Sequence, residues 1–191
     1  MTGEHRKVVV IGASAGAVQA LLAILPALPA SFAAPVLVVV HIPPDRENML
    51  VPLLRSKCRI TVKEAEDKEP IEGGVVYFAP SDYHLLVEKS QCLALSTDEA
   101  VNFSRPSIDV LFESAADAFG ADLVGVILTG ANHDGAAGLR KIQAAGGAVI
   151  VQDRAEAYAT AMPDAALRAC PAAHTMTINA ITTYLTSLGA A

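Results

Sequence analysis

Ser14, His41 and Asp134 are the three residues whose types fit a shared chemistry. A serine hydroxyl is a poor nucleophile until a base takes its proton. An imidazole can take it, and a carboxylate can fix the imidazole's tautomer and stabilise the imidazolium that forms. Each of the three follows an apolar run. Ser14 follows Val8-Val9-Val10-Ile11, inside the small-residue turn Gly12-Ala13-Ser14-Ala15-Gly16. His41 follows Val36-Leu37-Val38-Val39-Val40 and precedes Ile42-Pro43-Pro44. Asp134 stands in the polar turn Thr129-Gly130-Ala131-Asn132-His133-Asp134-Gly135, after the run at 123–128. A serine between a strand end and a helix start lies near backbone N–H groups that stabilise a developing negative charge. Its small neighbours let the turn close and leave room above the hydroxyl. Taken singly, Ser14 and Asp134 also suit helix caps or turns, and His41 suits a satisfied turn before two prolines. Their common position argues for a site, because ligands of an open parallel sheet bind at the carboxyl ends of its strands, near the point where strand order reverses.

The elements that must position them are legible as apolar periodicities. Residues 7–11 and 36–40 read as buried parallel strands, runs rather than alternations. A helix is predicted from 17 to near Pro26, and another from Asp45 to about Lys57, which Pro52 shortens or bends. Such β-α-β-α units make right-handed, parallel crossovers. Residues 59–63 read as a strand, 64–72 as an acidic solvated loop, and 75–78 as a short strand. Residues 84–88 and 92–95 read as two strands around a turn at 89–91. Residues 108–119 repeat apolar side chains at helical spacing. They follow a start at Ser104-Arg105-Pro106-Ser107 and precede a stop at Gly120. A strand at 123–128, a helix at 136–145 and a strand at 148–152 come next. Residues 153–162 form a loop or short helix, and Pro163 opens a helix to about 169. The last helix, 178–188, is capped by Thr177 or Thr175. The expected fold is α/β: a doubly wound, mostly parallel sheet with helices on both faces and a small antiparallel edge element.

Composition narrows the function classes. The 191 residues fit one domain, and 52% of them are apolar, ample for a large core. The net charge of −6 and the scattered basic residues argue against a nucleic-acid groove. Cys58, Cys92 and Cys170 have neither metal-ligand nor CxxC spacing, so free thiols in a reducing cytoplasm are expected. The amino-terminal stretch lacks a secretory pattern, and no run approaches the ~20 apolar residues of a membrane span. A soluble, cytoplasmic protein without membrane insertion is the expectation.

Two rival readings of the first turn are weak. Gly12-Ala13-Ser14-Ala15-Gly16 fits the small-x-Ser-x-small elbow of α/β-hydrolases, but that fold places its acid before its histidine, and the order here is Ser, His, Asp. Gly12-x-Ser14-x-x-Ala17 follows the first strand as a dinucleotide fingerprint should. Its middle glycine is nevertheless Ser14, and the second strand ends in His41 rather than an acid.

Several short stretches, in order, carry a resemblance. They are Val9-Val10-Ile11-Gly12-Ala13-Ser14, Val40-His41-Ile42-Pro43, Val76-Tyr77-Phe78-Ala79-Pro80 and His84-Leu85-Leu86-Val87. Further on come Phe103-Ser104-Arg105-Pro106-Ser107-Ile108-Asp109-Val110-Leu111-Phe112, Leu128-Thr129-Gly130 and Asp134-Gly135-Ala136-Ala137-Gly138-Leu139. Val151-Gln152-Asp153 and Ala161-Met162-Pro163 complete the set. Over nearly its full length the chain resembles the catalytic domain of the bacterial chemotaxis protein-glutamate methylesterase family, CheB. The resemblance implies a serine hydrolase with Ser14 as nucleophile, His41 as base and Asp134 as orienting carboxylate, with no cofactor and no metal. It implies methyl esters on glutamates of chemoreceptor cytoplasmic helices as substrates, with methanol as a product. Some members also deamidate receptor glutamines. Backbone N–H groups near Ala15 and Ala131 are the candidates for holding the oxyanion.

The departures from the family pattern are local. Its Thr-Gly-Gly after the serine is Ala15-Gly16-Ala17 here. Its Thr-Gly-Met-Gly-x-Asp-Gly is Thr129-Gly130-Ala131-Asn132-His133-Asp134-Gly135, which alters the wall beside the reactive centre. His133 reads as a surface residue or a second proton carrier. Arg105 reads as a contact for an acidic substrate helix or as a solvated helix-start arginine. The family's amino-terminal receiver domain has no counterpart, since the match starts at about Arg6. A single domain over 1–191 is therefore expected, one that is constitutively active, controlled by a separate receiver protein or specialised for another system. The alternative is a non-catalytic signalling module of the same fold that binds a receptor or methyltransferase partner. The intact Ser14, His41 and Asp134 argue against it, and the altered loops keep it open.

Overall fold

A computed structural model describes residues 7–41 and 49–189. Its centre is a run of β-branched residues. In β1 (Val8–Ala13) and β2 (Val36–Val40) every residue is buried, as expected for strands covered on both faces. β1 pairs in parallel with β2 on one side and with β7 (Leu123–Ile127) on the other. Beyond β2 lie β4 (Val75–Phe78) and then β3 (Thr61–Glu64). Beyond β7 lie β8 (Ala148–Gln152) and β9 (His174–Met176). All pairings in this seven-stranded sheet are parallel.

Helices cover both faces. On one, α1 (Ala17–Ile24), α2 (Leu50–Arg55) and α6 (Ile178–Leu188) bury Leu21, Ile24, Leu54, Ile181 and Leu185 against Val9, Ile11, Val36 and Val38. On the other, α3 (Ile108–Phe119), α4 (Ala136–Ala144) and α5 (Ala161–Ala169) bury Ile108, Phe112, Leu139 and Ala166 against Val10, Leu37 and Ile127. β5 (His84–Val87) and β6 (Leu93–Ser96) form a separate antiparallel pair on this second face, with Leu85, Val87 and Leu93 in its core. Among the described residues no helix is long and apolar enough to cross a membrane.

The expected fold class holds, with corrections of detail. β1 runs two residues past Ile11, because Gly12 and Ala13 still pair with Val39 and Val40. The chain turns instead at Gly16, whose φ of 87° favours glycine. The antiparallel element is a second sheet rather than an edge of the main one. β9 was not expected: it has three residues, two of them exposed, too few for a period to register. α5 starts at Ala161, so Pro163 falls in its first turn, where a missing N–H is harmless. The predicted helix start at Asp45 lies outside the described residues.

α3 and α4 approach closely at Gly138, where an added Cβ would lie 2.5 Å from Phe112 Cβ and 3.2 Å from Asp109 Cα. Neither neighbour is the free end of a flexible chain, so the helices must separate. Gly138→Ala is expected to lower unfolding stability by about 1–3 kcal/mol, read as a lower urea midpoint at unchanged m-value; an unchanged midpoint would show that the contact yields freely.

Candidate active site

Ser14 leaves β1 at the centre of the sheet. His41 N–H donates to Ala13 O at 3.2 Å, continuing the β1–β2 register, and Ser14 N–H donates to Thr129 O at 2.9 Å. The serine is thus held between the ends of β2 and β7. After β1 the chain crosses to the face of α1, and after β7 to the face of α4, so the gap between these strands is the switch point of the sheet. Thr129 fixes the turn from the far side: its Oγ1 donates to Ala15 O at 2.7 Å and accepts from Ala159 N–H at 2.9 Å.

His41 Nε2 and Asp134 Oδ2 are 2.8 Å apart. Asp134 is fully buried, and its carboxylate is filled by donors from four segments. Oδ2 also accepts Ile108 N–H at 2.6 Å. Oδ1 accepts Asn102 Nδ2 at 2.8 Å, Ser107 Oγ at 2.9 Å, and the N–H groups of Asp109 and Gly135 at 3.1 Å. Ile108 and Asp109 open α3, so the carboxylate caps that helix and faces the positive end of its dipole. Burial pushes the Asp134 pKa up. The hydrogen bonds from His41, Asn102 and Ile108 outweigh it and hold the carboxyl below its ordinary value.

The second nitrogen of His41 is engaged as well. Asn132 Nδ2 lies 3.0 Å from Nδ1, and Asn132 Oδ1 accepts Asp134 N–H at 3.1 Å. That second bond fixes which way the amide faces, so Nδ2 donates to Nδ1. Nδ1 is therefore the unprotonated nitrogen, and Nε2 carries the proton that goes to Asp134.

The fold agrees with what the chain is similar to. A family model described as CheB methylesterase matches residues 9–185. The chain belongs to the CheB methylesterase family. A crystal structure of the Thermotoga maritima CheB methylesterase catalytic domain superposes with a TM-score of 0.92 at 35% identity, covering 96% of this chain and 98% of that one. A protein of Leptospira interrogans is 47% identical over 173 residues, 91% of this chain and 90% of its own. A protein-glutamate methylesterase/protein-glutamine glutaminase of Archaeoglobus fulgidus is 41% identical over 162 residues, 83% of this chain and 46% of its own.

On this CheB fold, Ser14, His41 and Asp134 come to the same rim, with a direct bond between the last two. Two other candidates are placed differently. Arg105 is not a free solvated arginine: it donates to Asp82 Oδ1 from Nη2 at 2.6 Å and to the carbonyls of Thr97 and Asp98 from Nη1. Those bonds pin the loop before α3. His133 is exposed. Sequence reasoning missed the roles of Asn102, Ser107 and His84. Asn102 bridges Asp134 and Asp109, both at 2.8 Å. Buried His84 accepts Ser107 N–H at Nδ1, 3.2 Å, and its Nε2 faces Glu99 O at 3.0 Å, which orients the serine toward Asp134. The available signal was polarity inside the stretch before α3.

The depressed Asp134 pKa fixes a sign. Stability from this carboxylate is present above the unfolded-state value near pH 4 and is lost as pH falls through the lower folded value. Asp134→Asn is expected to be less stable than wild type by about 1–3 kcal/mol at pH 7, with the gap narrowing below about pH 4. Urea titrations across pH check this; a gap independent of pH would locate the effect in shape rather than charge.

Proposed function

We propose that this chain is a protein-glutamate methylesterase, a serine hydrolase that removes methyl esters from glutamate side chains of chemoreceptor cytoplasmic helices and also deamidates receptor glutamines. The observation that carries the reading is the 2.8 Å His41–Asp134 bond at the strand rim beside Ser14. Membership of the CheB family supports the substrate class, and the relative from Archaeoglobus fulgidus carries both activities in its name.

The site suggests how the reaction runs. Ser14 Oγ attacks the ester carbonyl and its proton passes to His41 Nδ1, the nitrogen that Asp134 leaves basic. Asp134 holds the ring's tautomer and faces the positive charge that forms on it. The oxyanion is received by the backbone N–H groups of Ala15 and Ala131; among the described residues neither donates to a backbone carbonyl. His41 returns the proton to methoxide and methanol leaves. His41 then takes a proton from water, whose oxygen attacks the acyl-enzyme; the acid is released and Ser14 is restored. With a glutamine side chain the same steps release ammonia.

Methanol release from a methylated chemoreceptor fragment tests the reading. The wild type is expected to release it, and Ser14→Ala to lose at least about 10³-fold in rate. No release from several receptors, together with a Ser14 inert to a fluorophosphonate probe, would overturn the esterase and leave a binding module of the same fold.

A further inference from the structure

We propose that Asn132 is a latch on the catalytic base: its amide caps the one lone pair with which His41 can take the proton of Ser14, and turnover requires that this bond open. The inference rests on the assignment of Ser14 and His41 made above. An imidazole nitrogen carries a single lone pair in the ring plane, so Nδ1 cannot accept from Asn132 and from Ser14 Oγ together. Nε2 offers no second route, since its proton is committed to Asp134 at 2.8 Å.

The closed state is complete in itself. Asp134 N–H donates to Asn132 Oδ1, Asn132 Nδ2–H to His41 Nδ1, and His41 Nε2–H to Asp134 Oδ2, at 3.1, 3.0 and 2.8 Å. This ring begins and ends on one residue and needs no ligand. The bond to Nδ1 joins two uncharged side chains, and so is weaker in kind than the bond from His41 to the Asp134 carboxylate. Asn132 is half-buried, between exposed Ala131 and exposed His133, on the solvent side of the rim. A peptide or ester carbonyl arriving there can accept the amide hydrogen in place of Nδ1. Release of the base is then exchanged for a hydrogen bond to substrate, and the open state is the one that binding favours. Water reaching Ser14 without a polypeptide meets a base that is capped.

The rate at which a small fluorophosphonate labels Ser14 reads the latch without needing a receptor. Asn132→Gly is expected to be labelled about 2- to 10-fold faster than wild type, the range one neutral hydrogen bond supplies. Asn132→Ala carries the same expectation and serves where the glycine variant fails to fold. Asn132→Asp keeps the acceptor for Asp134 N–H but turns an acceptor toward Nδ1. It holds a proton on the base and is expected to be labelled more slowly than wild type. The ¹⁵N resonance of His41 Nδ1 supplies a readout that a purely structural role would not move: it should shift when the Asn132 donor is removed while the Nε2 resonance stays. Equal or slower labelling in the glycine and alanine variants would overturn the latch and leave the esterase reading standing. A Ser14 unlabelled in wild type and every variant would overturn both, whatever the imidazole resonances do.

Discussion

Asp134 carries a carboxylate to a position without solvent exposure, and an ionised group is tolerated there only when its lone pairs are filled. The donors come from the β7–α4 turn, from the first turn of α3, from the loop that precedes it, and from His41 at the end of β2. None of these segments satisfies the charge alone. Docking α3 therefore completes the site, and the site in turn caps α3, whose first N–H groups would otherwise lack acceptors. Stability and chemistry meet in one group. The same reasoning explains why the loop before α3 is so heavily tied: Arg105 to Asp82 and two carbonyls, His84 to Ser107, Asn102 to two carboxylates.

The sheet supplies the other half of the constraint. Parallel strands end at a common rim, and β1 lies between β2 and β7, so the residues that follow these three strands are brought together whatever their separation in sequence. Ser14 and His41 are adjacent because Ala13 and Val40 are paired. Thr129 joins them because Ser14 N–H continues the β1–β7 ladder. A shift of either register by one residue would turn the serine away, and the buried Val and Ile side chains on both faces forbid such a shift.

This division explains what was legible. Residues 36–40, 108–119, 148–152 and 178–188 have in the structure the bounds read from their periodicity, since each is long or apolar enough for packing and propensity to agree. The rim position of Ser14, His41 and Asp134 was legible too, because strand ends are marked in sequence by a change from apolar to polar. β9 was not, being three residues stabilised by an edge pairing with β8. The partners of the carboxylate were not legible either. Asn102 reaches Asp134 across 32 positions in sequence and Asn132 reaches His41 across 91. A hydrogen bond of that span leaves no local pattern. The anchoring of Arg105 was not legible for the same reason, since its partner Asp82 belongs to a different loop.

Two buried carboxylates stand side by side beneath the rim, and their environments differ in kind. Asp109 has its pKa raised, first by burial and also by the charge of Asp134, although Gly138 N–H and Asn102 donate to it. Asp134 is lowered because His41, Asn102 and the α3 terminus outweigh its burial. Neighbouring like charges resist joint ionisation, so the site concentrates its negative charge on the carboxylate that touches the imidazole. Asn102 joins the two acids: its amide nitrogen donates to both at 2.8 Å and so favours neither. The asymmetry must then come from the other partners: five further donors on Asp134, against the backbone N–H groups of Gly138 and Gly135 on Asp109. The dense hydrogen bonding around Asp134 is thus the means by which the fold favours ionisation of the acid that touches the imidazole over that of its neighbour.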